Sequence, residues 1–169
     1  LLILASVVSG IIIARTLGPD GRGTYAVATA IGTIGAQFAT LGLHASNTYL
    51  LARDRRYLAA LVGNTVAVSI GAGGVLGMLL VACVLSGPCA DLIQGDMLWL
   101  AVMAIPIYAA LILLQNLLLG LYDTARFNAT EIAENLVGLV LLIGLVLVGW
   151  ENPFTVYGSS LLVSLGVVG

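Results

Sequence analysis

The sequence contains few charged residues and no lysine. Charged side chains make up 8% of its 169 residues and apolar side chains 60%, whereas an ordinary soluble domain has about a quarter of its residues charged. All six cations are arginines, and the net charge is only −2. This composition excludes a water-soluble enzyme and gives no electrostatic basis for a nucleic-acid partner. The chain is therefore expected to lie in a lipid bilayer.

The residue types that build catalytic and metal centres are also scarce. His44 is the only histidine and has no Cys, Asp or Glu near it in sequence. Cys83 and Cys89 are six residues apart, a spacing that fits neither a zinc site nor a redox pair, so free cysteines are expected. No nucleophile, base and orienting acid come together. The sequence predicts no enzymatic activity, no metal site and no cofactor.

One glycine-rich stretch, GAGGVLG at 71–77, superficially resembles a dinucleotide-binding motif. That motif requires a preceding strand, and this stretch lies within a long apolar run. Gly73 and Gly77 form a small-xxx-small pair, which lets two membrane helices approach closely. Close helix packing is therefore the better interpretation.

Long apolar runs dominate the chain. A transmembrane helix needs about 20 apolar residues, and these runs are too long and too continuously apolar for barrel strands. They predict an all-α polytopic membrane protein, with residues 1–169 forming one membrane-embedded helical bundle. Both ends of the chain are apolar, so we expect the first and last helices to be truncated parts of a longer protein. The six predicted spans are about 1–17, 24–52, 58–86, 97–121, 130–150 and 154–169.

The arginines predict the orientation of these spans. Four of the six lie in the turns at 53–57 and 122–128, which face the same side. The opposite turns hold only Arg15 and Arg22, at the edges of the turn at 16–23. The positive-inside rule then places the two arginine-rich turns, and the N-terminus, in the cytoplasm. Arg15 and Arg22 run against this rule.

Local signals predict where two helices end and begin. In the segment 18–21, Gly-Pro is typical of a helix end and Asp-Gly of a turn. Asn128, three residues before Glu131, resembles a capping pair. Glu131 and Glu134 are then expected in the first turn of the fifth helix, where carboxylates are favourable.

A polar stripe runs along the second span. Its members recur at steps of three and four residues, so they share one face of a helix, and Arg22 lies near the extension of that face. Such a stripe faces either neighbouring helices, through hydrogen bonds, or a water-filled cavity; we favour a cavity. In the fourth span, Gln115 and Asn116 either line the same cavity or serve helix packing. The stripe comprises Thr29, Thr33, Gln37, Thr40, His44 and Asn47 or Thr48.

The segment 14–26, ARTLGPDGRGTYA, closely resembles a known helix junction. It is similar to the junction of the first two helices in polysaccharide flippases of the Wzx type, which commonly read A-R-x-L-G-P-x-G-x-G-x-Y-A. These proteins belong to the multidrug/oligosaccharidyl-lipid/polysaccharide exporter superfamily. The stretches 41–47 and 120–127 are similar to two later junctions of the family, so the resemblance covers about residues 11–130.

The resemblance implies a fold of two six-helix bundles arranged in a V around a central cavity. This chain would be most of the N-terminal bundle, and its partner would be the missing C-terminal helices. The implied function is that of an inner (plasma) membrane flippase. Its substrate would be an undecaprenyl-pyrophosphate-linked oligosaccharide, moved from the inner to the outer leaflet by alternating access. Membrane lipid and a polysaccharide polymerase or ligase are further expected partners.

The stripe and the arginines form the predicted substrate site. Hydroxyl, amide and imidazole groups suit a sugar, and the forked donors of arginine suit a phosphate. Arg15 and Arg22 are hypothesised to meet the pyrophosphate at the outer mouth of the cavity, although both also suit lipid head groups. The predicted substrate-binding residues are Arg15, Arg22, Thr33, Gln37, Thr40, His44, Asn47 and Gln115.

Two competing functions stay open from sequence. A drug or cation antiporter of the same superfamily usually needs a carboxylate inside the membrane, and every carboxylate here is expected in a turn or at a helix end. A non-transporting membrane scaffold would need no polar stripe. The carboxylates are Asp20, Asp54, Asp91, Asp96, Asp123, Glu131, Glu134 and Glu151.

Overall fold

The computed structural model describes residues 2–93, 95–149 and 152–168. Within these ranges the chain forms seven α-helices and one short 3-10 helix, and contains no strand. The all-α prediction is therefore confirmed. The helices are α1 (Leu2–Thr16), α2 (Gly18–Ala39), α3 (Leu43–Arg53), the 3-10 helix (Arg55–Tyr57), α4 (Leu58–Leu85), α5 (Asp96–Gly120), α6 (Thr124–Val148) and α7 (Pro153–Val168).

Three helical segments in the described ranges are long and apolar enough to cross a membrane: Arg55–Leu85, Asp96–Gly120 and Thr124–Val148. The pair α2 and α3 passes the same test together, although the two helices are bent by 51° at a short break. These helices indicate a membrane-embedded protein with three such spans, or four if the bent pair is one span. The predicted count of six is not confirmed.

The prediction of one uninterrupted helix over 24–52 is wrong. The helix breaks between Ala39 and Leu43, where Leu41 and Gly42 have φ angles of 50° and 75°. Left-handed backbone at two successive residues cannot continue a right-handed helix. Glycine adopts this conformation freely, whereas leucine does so only when its surroundings require it.

Two predicted helix starts are also corrected. Segment 18–21 forms the beginning of α2, because proline is tolerated in a first turn, where its missing N–H would have no partner. Helix α6 begins at Thr124, because Asp123 caps it by accepting a 3.0 Å hydrogen bond from the Arg126 backbone N–H. Asn128 is therefore inside α6. Glu131 and Glu134 lie about two and three turns into the helix.

Helix α5 lies at the centre of the bundle and packs against α2, α3, α4, α6 and α7. It approaches α4 closely. A Cβ atom added to Gly73 would lie 2.8 Å from the Cα atom of Pro106, and one added to Gly77 would lie 2.9 Å from Cγ1 of Val102. The predicted close packing through Gly73 and Gly77 is confirmed.

The two arginine-rich turns lie at the same end of the bundle, as predicted. The Arg55 Nη2 atom donates a 3.5 Å hydrogen bond to the carbonyl oxygen of Leu121, which joins the start of α4 to the end of α5. We call this the arginine end. At the opposite end Gly21 lies close to Pro153, so the start of α2 meets the start of α7.

Cys83 and Cys89 form a disulfide at the end opposite the arginine end. The prediction of free cysteines is therefore wrong. The turn after α4 brings the two Cα atoms to 5.4 Å, within the range that a disulfide spans. The backbone N–H of Cys89 also donates to the carbonyl of Cys83 at 3.3 Å. The loop thus closes on itself, a conformation that residue spacing alone does not reveal.

The glycine contact between α4 and α5 leads to a stability prediction. Gly73→Ala should destabilise the full-length protein by about 1–3 kcal/mol, because the added methyl group collides with backbone atoms of α5. Gly74→Ala is the matched control: its Cβ atom would meet nothing within 4 Å, and alanine should stabilise a helix interior by about 0.5–1 kcal/mol. Thermal unfolding in detergent measures both. Equal effects would contradict this packing.

Candidate functional site

A polar cavity of about 640 Å³ lies between α1, α6 and α7. Tyr25 of α2 and Gln115 of α5 complete its wall. Its polar lining residues are Ser6, Ser9, Tyr25, Gln115, Glu131, Glu134, Asn135, Ser159 and Ser160.

Helical spacing explains why these side chains face the same space. On α6 the lining positions 131, 134, 135, 138 and 142 recur at three- and four-residue steps, so they form one face. The opposite face of α6 carries Leu136, Val140 and Leu147, which are exposed and apolar. Helix α6 therefore has a polar side toward the cavity and an apolar side away from it.

Glu134 is held in place by a neighbouring helix. The Oγ atom of Ser164, which is only 2% exposed, donates a 2.8 Å hydrogen bond to its Oε1 atom and so ties α7 to α6. Neither Glu131 nor Glu134 forms an ion pair within the described ranges. A carboxylate without a cationic partner is costly at membrane depth unless it faces water or a solute. The two carboxylates therefore mark the cavity as a functional space.

The hydroxyl groups in the wall are oriented by their own helix. Ser159 donates to the carbonyl of Val156 at 2.8 Å, and Ser160 donates to that of Tyr157 at 2.7 Å. A hydroxyl oxygen that has used its proton in this way still has lone pairs and can accept a hydrogen bond from a solute. No group of three or more His, Cys, Asp or Glu in the described part of the chain is arranged to hold a metal ion.

A buried tyrosine fixes the position of α7 against α2. Tyr157 is fully buried, and its hydroxyl donates a 3.1 Å hydrogen bond to the carbonyl oxygen of Ala28. Gly32 leaves room for it, because an added Cβ atom would lie 2.7 Å from the tyrosine oxygen. The Tyr25 ring meets the Tyr157 ring edge-on, with 5.8 Å between centroids. This contact places Tyr25 in the cavity wall.

A second space, which we call the apolar groove, lies at the arginine end between α4, α5 and α6. It has a volume of about 510 Å³, and its lining is almost entirely apolar. Gln115 lines both the apolar groove and the polar cavity, so the two spaces lie on either side of α6 and meet at this side chain. The groove is lined by Leu58, Val62, Leu111, Leu114, Gln115, Leu117, Leu118, Leu121, Arg126, Ala129 and Thr130.

The predicted polar stripe is divided by the helix break. On α2, Thr33 and Gln37 are exposed on the surface of the bundle. Thr40 in the break and Asn47 beyond it are buried, and Asn47 donates to the Thr65 hydroxyl on α4 at 3.3 Å. His44 is half-buried. None of these five side chains lines the polar cavity or the apolar groove.

The structure places the remaining predicted residues at different sites. Gln115 is the one predicted substrate residue that lines either space. Arg15 is exposed at the end of α1, and Arg22 is exposed near the start of α2. Neither arginine lines the cavity or the groove, so the structure does not bring them together with Gln115.

Sequence reasoning missed the polar face of α6. With Asn128 as the predicted cap, Glu131 and Glu134 are expected in the first turn of the helix, whereas Asp123 is the cap. Asp123 could have been recognised, because an aspartate before a run of helix-forming residues is itself a capping signal. With α6 starting there, both glutamates become internal. Glu151, the other carboxylate near this helix, lies outside the described residues.

Comparison of the chain with models of known protein families, with curated protein sequences and with solved structures finds no match. The function is therefore argued from the cavity, the groove and the sequence resemblance.

Cysteine labelling tests whether the polar cavity contains water. In full-length protein with Cys83 and Cys89 replaced by serine, Asn135→Cys and Ser159→Cys should react with a water-soluble maleimide, because a thiol ionises only where water reaches it. Val140→Cys is the control on the apolar side of α6. Labelling uses membranes opened to both sides. Failure of both cavity positions to react above the Val140→Cys level would contradict an aqueous cavity.

Proposed function

We propose that this chain belongs to a transporter that moves an undecaprenyl-pyrophosphate-linked oligosaccharide from the inner to the outer leaflet. The observation that carries the proposal is the shared wall at Gln115, where a polar cavity and an apolar groove meet. A lipid-linked glycan needs a polar space for its head and an apolar space for its chain. At the outer leaflet the product would be available to a polysaccharide polymerase or ligase.

The polar cavity has the chemistry of a sugar site. Sugar hydroxyl groups both donate and accept hydrogen bonds, and the wall offers the acceptors of Glu131 and Glu134 together with the amides of Gln115 and Asn135. Its volume of about 640 Å³ is within the range of about 300–1,000 Å³ typical of small-molecule sites. A short oligosaccharide head is therefore a suitable occupant.

The proposal includes the finer fold that the resemblance implies. In it α1, the bent pair α2–α3, α4, α5, α6 and α7 are six spans of an N-terminal bundle. A second bundle outside this chain completes the V. The exposed polar face of α2 at Thr33 and Gln37 supports a second bundle, because polar side chains are unfavourable against lipid. Those residues then belong to the central cavity between the bundles.

Two independent features support the proposed orientation. The arginine end carries the arginine-rich turns and is placed in the cytoplasm by the positive-inside rule. The Cys83–Cys89 disulfide lies at the other end, and disulfides persist in oxidising compartments outside the cytoplasm. Because α1 runs from the arginine end, the N-terminus is cytoplasmic in this arrangement. The membrane is the inner (plasma) membrane.

A cation antiporter is the second candidate, and Glu134 favours it. The sequence argument against an antiporter was that no carboxylate lies within a span, and the start of α6 at Thr124 removes that argument. A carboxylate in an internal cavity is the group that such a transporter needs to exchange a proton for its substrate. The apolar groove has no role in moving a small cation, so it favours the flippase.

A reconstituted transport assay tests the proposal. Full-length protein in liposomes should move a fluorescent undecaprenyl-pyrophosphate oligosaccharide between leaflets, measured by quenching from outside. Asn135→Leu should lower the rate about tenfold, because it removes hydrogen bonds to the sugar worth about 1–2 kcal/mol. Val140→Leu, on the apolar side of the same helix, should not change the rate.

A different result would favour the antiporter. In that case the wild-type protein would not move the lipid-linked glycan. It would instead exchange a cationic dye across a pH gradient, and Glu134→Gln would abolish the exchange.

A further inference from the structure

We infer that the apolar groove binds one phosphate-bearing lipid from the leaflet at the arginine end, with the lipid chain between α4, α5 and α6 and the phosphate against Arg126. The identity of this lipid as the glycan carrier rests on the proposed function. The binding of a phosphate-bearing lipid rests on the groove and its mouth alone.

The lining of the groove suits a hydrocarbon chain. Leu58 and Val62 on α4 face Leu114 and Leu118 on α5 across the open space. Within a bilayer, lipid tails are as apolar as leucine, so a groove of this kind is filled by a chain without preference for one lipid over another. Selectivity must therefore come from the polar groups at its mouth.

The mouth of the groove is cationic. The Arg126 side chain is 79% exposed, and its Nε atom pairs with the Asp123 carboxylate at 3.1 Å. An exposed guanidinium presents a fork of N–H donors, which suits phosphate oxygens. Arg55 is also at the mouth, because it donates to the carbonyl of the groove residue Leu121. Arg126, Arg55 and Asp123 together carry a net charge of +1.

The polar cavity is the wrong place for the phosphate. Two carboxylates, Glu131 and Glu134, lie in its wall, and no arginine is among its lining residues. Repulsion between like charges excludes a phosphate from such a site. The arginine end of the groove is the nearest described cationic site on the same helix, since Arg126 lies one turn before Thr130, which also lines the groove.

The structure offers a separate surface for each part of an amphiphile. A chain in the groove has its phosphate at Arg126, and the polar cavity adjoins the groove at Gln115. The apolar groove, its cationic mouth and the polar cavity thus suit the tail, the phosphate and the head, respectively. A soluble anion would use only Arg126, and an apolar ligand would use only the leucines.

Photolabelling of the full-length protein in phosphatidylcholine nanodiscs tests the inference. The probe is a short isoprenyl monophosphate with a diazirine on its chain, and the matching isoprenyl alcohol is the comparison. The phosphate probe should label peptides of α4 and α5 that line the groove at least tenfold more than the alcohol does. Arg126→Gln should remove that difference, and Arg126→Lys should restore part of it.

A second variant tests the contribution of the groove to labelling separately from that of the arginine charge. Leu118→Trp fills the groove and keeps both arginines, so it should reduce labelling, whereas Leu147→Trp on the exposed side of α6 should not. Equal labelling by phosphate and alcohol would overturn the inference, as would unchanged labelling in Arg126→Gln. Displacement of the probe by inorganic phosphate alone would overturn it in favour of a soluble anion.

The lipid assay is independent of transport. If the wild-type protein binds the probe but does not flip a lipid-linked glycan, the proposed function fails and the lipid site stands. If the protein flips the glycan but labelling does not depend on Arg126, the lipid site fails and the proposed function stands.

Discussion

The need to satisfy polar groups without water determines most of this structure. In hydrocarbon an unpaired backbone N–H or C=O group is too costly, so most of the described chain is helical. Side chains follow the same constraint. Thr29 and Ser160 donate to carbonyls of their own helices, whereas Asn47 and Tyr157 donate to α4 and α2. These hydrogen bonds lie on helices that pack around α5, which is the central helix of the bundle.

Helix α6 is the exception to this pairing of polar groups. Glu131 and Glu134 lie inside the helix without a cationic partner among the described residues, and only Ser164 holds Glu134 in place. A carboxylate in such a position is retained for function rather than for stability. The apolar groove lies on the other side of α6, beyond Gln115. One helix thus separates a polar space from an apolar one, which is the arrangement an amphiphilic substrate requires.

The sequence predicts those features that composition and periodicity determine. The apolar runs predicted the all-α class, and the spacing of Gly73 and Gly77 predicted close helix packing, which the structure shows against α5. The break at Leu41 could not be predicted from the leucine itself, because leucine rarely has a positive φ. The prediction of a polar stripe assumed one straight helix, so it combined residues that the bend separates. Gln115 was predicted from the polar residues of the fourth span, and that span forms one unbroken helix, α5.

Crosslinking at Gln115 tests the central claim most directly, because among the described residues only Gln115 lines both spaces. A photoreactive phenylalanine analogue replaces Gln115 in the full-length protein, in membranes that synthesise the lipid-linked glycan. The account predicts an adduct that contains both an isoprenyl chain and sugar, identified by mass spectrometry. The same analogue at Met103, an exposed position on α5, should trap only bulk phospholipid. Bulk phospholipid alone at both positions would contradict the account.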